Sequence, residues 1–84
     1  MTYSELYALR IRQLCQNRGI TINKLAFLAG LKQSTVDNII RGTSKNPKVR
    51  TLHKIANAFG MTLSEFLDFP ELNAYSFDDQ EDAE

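Results

Sequence analysis

Helix-period apolar stripes, each ended by a glycine, are the feature that most limits what this chain can fold into. The glycines stand at 19, 30, 42 and 60. They divide the first part of the chain into segments of helical length, and no useful run of strand alternation lies between them. Thr2 and Glu5 have capping-box spacing and open a first helix, along which Tyr3, Tyr7, Ile11 and Leu14 recur. Thr21 is a good N-cap for a second, short helix with Ile22, Leu25, Ala26 and Ala29 on one face. From Gln33 to Arg41 the helical pattern resumes with Val36, Ile39 and Ile40, and a polar loop of residues 43–48 follows. Val49, Leu52, Ile55, Ala56 and Phe59 then form a 3-4-3 stripe. Thr62 and Glu65 repeat the capping box and open a fifth helix through Leu67, and Pro70 opposes its continuation.

The second and third segments lie so close in sequence that only a tight turn can join them. Two short helices across a Gly-containing turn make a helix-turn-helix. Gly30 is expected where the chain reverses without room for a Cβ, and Ala26 is expected where the two helices cross closely.

The charge is divided as sharply as the helices. Residues 1–67 hold all ten Lys and Arg against Glu5, Asp37 and Glu65, a net of +7, whereas residues 68–84 hold seven acids and no cation. The overall neutrality and the pI near 6.6 therefore average two opposed blocks. The division predicts a basic interaction domain over 1–67 and an acidic, aromatic-containing tail over 68–84. The tail reads either as a solvated, solubilising end or as a competitor for the ligand of the basic block, with truncation after Tyr75 expected to raise that block's non-specific binding.

Several function classes fall away at this stage. Only 84 residues are present, which suits one small domain with little room for an enzyme cleft or a separate sensor domain. No apolar run reaches the length of a membrane span or a signal-peptide core. Cys15 is the single cysteine and His53 the single histidine, so neither a disulfide nor metal-ligand spacing is available, and no cofactor or metal is expected. Cys15 reads as a small core hydrophobe suited to a reducing cytoplasm. His53 lies off the apolar stripe of its helix. No phosphate-binding glycine loop is present.

The sequence resembles the phage repressor/Cro-type, XRE-like helix-turn-helix family. The resemblance runs through Ile11-Arg-Gln-Leu14, Gly19-Ile20-Thr21, Leu25-Ala26, Ala29-Gly30, Gln33-Ser-Thr-Val36, Ile39, Arg41-Gly42, Pro47, Thr51-Leu52, Lys54-Ile55-Ala56, Ala58-Phe59-Gly60 and Phe66-Leu67. It covers about residues 6–67, and ordered blocks over five helices are far more specific than any one of them. The resemblance implies an all-α, compact five-helix lambda-repressor-like domain. It also implies sequence-specific binding of duplex DNA, often as a dimer on a palindromic operator.

Under that resemblance residues 33–41 are the recognition helix, with its N-terminal residues on base edges in the major groove. Lys32, Gln33, Ser34 and Asn38 are the expected base readers, and Asp37 is a weaker candidate. Gln33 ranks first, because one amide carries both a donor and an acceptor and matches adenine bidentately. Lys32 can reach guanine or a phosphate. Lys32 also stands where the family commonly has a Ser or Thr N-cap; a lysine there accepts no hydrogen bond and costs about 1 kcal/mol. Arg41, Lys45, Asn46, Lys48 and Arg50 are expected on phosphates, as are Thr21 and Asn23 at the start of the preceding helix. Where relatives often have a phosphate-touching glutamine this chain has Ile22, so that contact is lost or passes to Asn23 or Lys24. Relatives often pair an arginine at position 15 with a glutamate at position 40. Here Cys15 and Ile40 occupy the two positions, which predicts that an ion pair has been replaced by an apolar contact.

The expected function is thus a small stand-alone transcriptional regulator, simplest as a prophage- or bacterium-type repressor, binding double-stranded operator DNA as a homodimer. No small-molecule ligand is indicated. The alternative is a protein-interaction module on the same fold, such as an antitoxin subunit or an antirepressor-like binder. Phe66, Leu67, Phe69, Leu72, Tyr75 and Phe77 are an unusually aromatic set for an end segment. They pack on their own domain, form the dimer surface, or bind a partner.

Overall fold

The computed structural model describes residues 1–76, and their regular structure is entirely helical. In chain order the elements are α1 (Tyr3–Arg18), α2 (Ile22–Ala29), α3 (Gln33–Ile40), α4 (Val49–Ala58), α5 (Leu63–Leu67) and α6 (Pro70–Asn73). Helix α1 packs against α3, α2 against both α3 and α4, and α4 against α5. The core between them is built on Ile11, Leu14, Leu25, Val36, Ile39, Leu52, Ile55 and Phe66.

Local chemistry sets the helix starts. The Thr2 hydroxyl accepts from the Glu5 N–H at 3.2 Å while Glu5 Oε1 accepts from the Thr2 N–H at 3.1 Å. Thr62 and Glu65 make the same reciprocal pair at 3.1 and 2.8 Å. Each glutamate thus holds a backbone proton donor that only helix formation brings to it, and each carboxyl lies below its ordinary pKa chiefly for that reason. The Thr21 hydroxyl caps α2 through the Lys24 N–H at 3.0 Å.

Three expectations need correction. First, the described residues form six helices rather than five. The chain does break at Asp68, but Phe69 turns back into the body with 1% exposure, and Pro70 occupies the first turn of α6, where its fixed φ and missing N–H suit a helix start. Second, Gly30 is not required by crowding. A Cβ placed there meets nothing within 4 Å; the requirement is its left-handed backbone, at φ 67° and ψ 32°, which closes α2 by donating its N–H to Ala26 and Phe27 carbonyls. Third, the buried face of α1 keeps Ile11 and Leu14 but is wider than the line through Tyr3 and Tyr7. Ser4, Leu6 and Ala8 are buried, and the two tyrosines are half-buried at the edge.

The tyrosines at that edge hold the end of the described chain. Tyr3 stacks on Tyr7 and tilts against Tyr75, whose hydroxyl donates to the Met1 carbonyl. Phe66 and Phe69 are fully buried, so much of the aromatic end segment packs on its own domain. Phe77 and the acids of residues 78–84, including the expectation that they compete with DNA, lie outside the described residues.

Two of the ten cations serve the fold. Arg10 donates from Nε to the Phe66 carbonyl and from Nη2 to the Glu65 carbonyl, both at 2.9 Å, with its guanidinium 5.3 Å from the Phe69 ring centroid. Arg18 donates to the Phe59 carbonyl at 3.1 Å and lies over the ring of the same residue. Both guanidinium groups therefore neutralise the carbonyl-rich ends of helices, α5 and α4 respectively. The positive charge available to a ligand is correspondingly smaller than the bare count, and it is concentrated around α3 and the loop after it.

Candidate nucleic-acid interface

Helix α3 is fixed from behind by Val36 and Ile39, which are 0% and 1% exposed. Truncating either to alanine would cost about 2–4 kcal/mol, so the helix cannot roll without losing the core. Its opposite face presents Gln33, Ser34 and Asn38 exposed and Asp37 half-buried, and Lys32 stands exposed at its N-cap. As its chemistry requires, Lys32 makes no side-chain capping hydrogen bond; its carbonyl accepts from the Thr35 N–H at 3.0 Å. All four expected base readers are therefore brought to one outward surface.

Two of them already have polar partners. Gln33 Nε2 donates to Asp37 Oδ1 at 3.1 Å. Thr43 Oγ1 lies 3.3 Å from Asn38 Oδ1 and 3.1 Å from the Asn38 carbonyl, and that carbonyl also accepts from the backbone N–H groups of Thr43 and Ser44. Asn38 is thus part of the closure of α3 as well as of its outward face, and its amide N–H groups are what it offers outward.

The expected phosphate residues divide into two groups. Arg41, Lys45, Asn46, Lys48 and Arg50 are exposed and follow α3 directly. Asn46, Lys48 and Arg50 line a concavity of about 410 Å³ between α3 and α4, which also takes in Thr35, Thr51 and Lys54. Lys54 is half-buried there and was not singled out from sequence. Its signal was available, because it stands four residues after Arg50 on the same helix face. Thr21 and Asn23 lie apart from this group, at the start of α2. Thr21 spends its hydroxyl on the cap, and Asn23 is exposed. Ile22 packs against the core, which accounts for an apolar residue at that position. Lys24 places its ammonium 5.4 Å from the Phe27 ring centroid. Phe27 itself is 77% exposed, an aromatic that sequence periodicity did not flag.

Among the described residues no cluster of three potential metal ligands occurs, and no helix is long and apolar enough to cross a membrane. Cys15 is buried, and burial pushes its thiol pKa up, with Arg18 acting weakly the other way. The thiol is therefore protonated and shielded at neutral pH.

A short helix, a tight turn and a second helix anchored by two buried aliphatics, with cations flanking its polar face, define a helix-turn-helix nucleic-acid-binding domain. The chain belongs to the Cro/C1-type HTH DNA-binding domain family, which it matches over residues 10–71. It is 32% identical over 62 residues to the HTH-type transcriptional regulator PuuR of Escherichia coli (strain K12), a match that covers 74% of this chain and 33% of PuuR. It is 29% identical over 75 residues to the HTH-type transcriptional regulator SinR of Bacillus subtilis (strain 168), covering 89% of this chain and 66% of SinR. The fold is similar to the crystal structure of prophage Lp1 protein 11, with a TM-score of 0.80 at 36% identity over 89% of this chain and 99% of that one. The chain thus spans about a third of PuuR and 66% of SinR.

Proposed function

We propose that this chain represses transcription by occupying an operator as a homodimer, in the cytoplasm and without catalysis. Lys32, Gln33, Ser34 and Asn38 face base edges in the major groove. Arg41, Lys45, Asn46, Lys48 and Arg50 engage phosphates on one side of α3, and Thr21 and Asn23 do so at the start of α2. The observation that carries this reading is the polar face of α3, locked from behind by Val36 and Ile39 and flanked by exposed cations. The similarity to HTH-type transcriptional regulators and to a prophage protein supports a regulator of bacterial or prophage type.

Dimerisation follows from reach. One domain reads only a few base pairs, and paired half-sites about one helical turn apart supply the missing specificity. Phe66 and Phe69 are spent on the core, so among the described residues the half-buried Leu67 and Leu72 are the aliphatic part of the end segment for a second copy.

The exposed Phe27 and Leu28 on α2 favour a second reading, a protein-interaction module of the antitoxin or antirepressor kind. Selection of bound duplexes from a random pool at ~150 mM salt separates the two, since specific complexes survive there and purely electrostatic ones fall steeply. One enriched palindrome supports the repressor. No enrichment overturns it in favour of the interaction module.

A further inference from the structure

Asp37 is the feature of α3 that the interface does not yet explain. A carboxylate on a helix that enters the groove between two phosphate rows costs affinity for every sequence. It also gives the helix little. Aspartate has poor helix propensity, it stands in the C-terminal half of α3 where the dipole disfavours an anion, and i,i+4 pairs on a helix surface are weak. A residue that costs on both counts is expected to return specificity.

Its contacts indicate how. Positions 33, 37 and 41 lie one above another along α3. Asp37 Oδ1 accepts from Gln33 Nε2 at 3.1 Å, and Asp37 Oδ2 lies 3.8 Å from Arg41 Nη2. One oxygen therefore serves each neighbour. Because an ionised carboxylate only accepts, the NH₂ end of the Gln33 amide must face it, and the flipped amide would set oxygen against oxygen. Gln33 is left with Oε1 and one N–H directed elsewhere. That pair matches adenine, which presents the N6 donor and the N7 acceptor. It mismatches guanine, whose O6 and N7 both accept.

We propose that Asp37 is a specificity-determining, positioning residue: it fixes the orientation of the Gln33 amide so that this position reads adenine and rejects guanine. The inference rests on the DNA-binding reading. Losing Asp37 then acts twice. The Gln33 amide turns freely and the adenine preference at one operator position relaxes, by about tenfold for a bidentate pair. The negative charge between the phosphate rows is also removed, so affinity for random DNA rises.

The test is selection from a random duplex pool with the full chain and with Asp37→Ala, Gln33→Ala and the double variant, with melting curves to show that each is folded. The expected result is a wild-type site with one strong adenine, relaxed at that position alone by Asp37→Ala. The double variant should then be no more relaxed than Gln33→Ala. Asp37→Asn, whose Oδ1 can still accept from Gln33 Nε2, should retain part of the preference. An enriched site left unchanged by Asp37→Ala overturns the role of Asp37 alone. Relaxation of similar size by Asp37→Ala in the Gln33→Ala background overturns it too, since Asp37 would then act without Gln33. No enriched site for the wild-type chain overturns the DNA reading itself, and this inference with it.

Discussion

The hydroxyl of Ser4 donates a 2.9 Å hydrogen bond to the carbonyl of Ile39, joining the first turn of α1 to the last turn of α3 across 35 residues. Ser4 is the one fully buried polar residue among the described residues, and it sits where the α1–α3 packing meets the end of the helix that faces outward. The bond adds a polar tie to the α1–α3 packing, beside the Val36 and Ile39 side chains that anchor α3.

Replacing Ser4 by alanine should cost about 1 kcal/mol, the low end for a buried bond. The Ile39 carbonyl keeps the Gly42 N–H at 3.1 Å as a second donor and is not orphaned. Urea unfolding would show a lower midpoint at unchanged slope. The DNA sequence preference of Ser4→Ala should stay that of the parent, because the outward side chains are untouched.

Gln33 and Lys45 should separate in their effects. Gln33→Ala is expected to weaken specific binding by about 1–3 kcal/mol and to relax one base position. Lys45→Ala should weaken all sequences about equally and lower the salt slope by about 1. Titrations on an operator duplex and a scrambled one, each at several salt concentrations, distinguish them. Equal losses of Gln33→Ala on both duplexes would remove it from the base readers.

The capping boxes are legible in the sequence, because Thr2 with Glu5 and Thr62 with Glu65 act within one turn and depend on nothing distant. The α2–turn–α3 unit was legible for the same reason: Thr21, Gly30 and the Val36/Ile39 stripe are local signals. What escaped was decided by residues far apart in sequence. Phe69 is buried because Arg10, on α1, clasps the end of α5 and covers its ring, and no window around Pro70 contains that information. The face of α1 was legible at Ile11 and Leu14, but its full width was not, because a buried serine, Ser4, belongs to it and hydropathy counts serine as surface. The outward face of α3 was found by position, whereas the bond from Gln33 to Asp37 depends on rotamers.

Acid should weaken the fold partly through Glu5 and Glu65. Both carboxyls lie below their ordinary pKa in the folded chain, first because they accept the N-cap backbone N–H and then through the cap hydroxyl. A depressed folded pKa contributes stability that is present above the unfolded value, about 4.3 for glutamate, and is lost as pH falls through the folded value. Glu5→Gln with Glu65→Gln keeps the acceptor oxygens and removes the proton uptake. Melting temperature should therefore fall less between about pH 5 and about pH 3 in the double variant than in the parent. Parallel curves would mean that the caps carry no titrating contribution.

Cys15 and Ile40 offer the sharpest test of the register between α1 and α3. Cys15 is 5% exposed within the core, and Ile40 is half-buried and packs against the same cluster, on the two helices that pack together. The family resemblance implies an arginine and a glutamate at these positions, where this chain has a cysteine and an isoleucine. Such an exchange is neutral or stabilising when both members change, whereas one stranded buried charge costs about 3–5 kcal/mol. Cys15→Arg should approach that cost, because the position is interior. Ile40→Glu should cost less, because Ile40 lines an open groove shared with Arg12 and Arg41, whose guanidinium groups can meet a carboxylate at its rim. The double substitution should recover part of the loss through a coupling of about 0.5–3 kcal/mol. Thermal melts of the four proteins decide the matter. A favourable coupling places the two positions in contact, and simple additivity of the single effects would show that they are not partners.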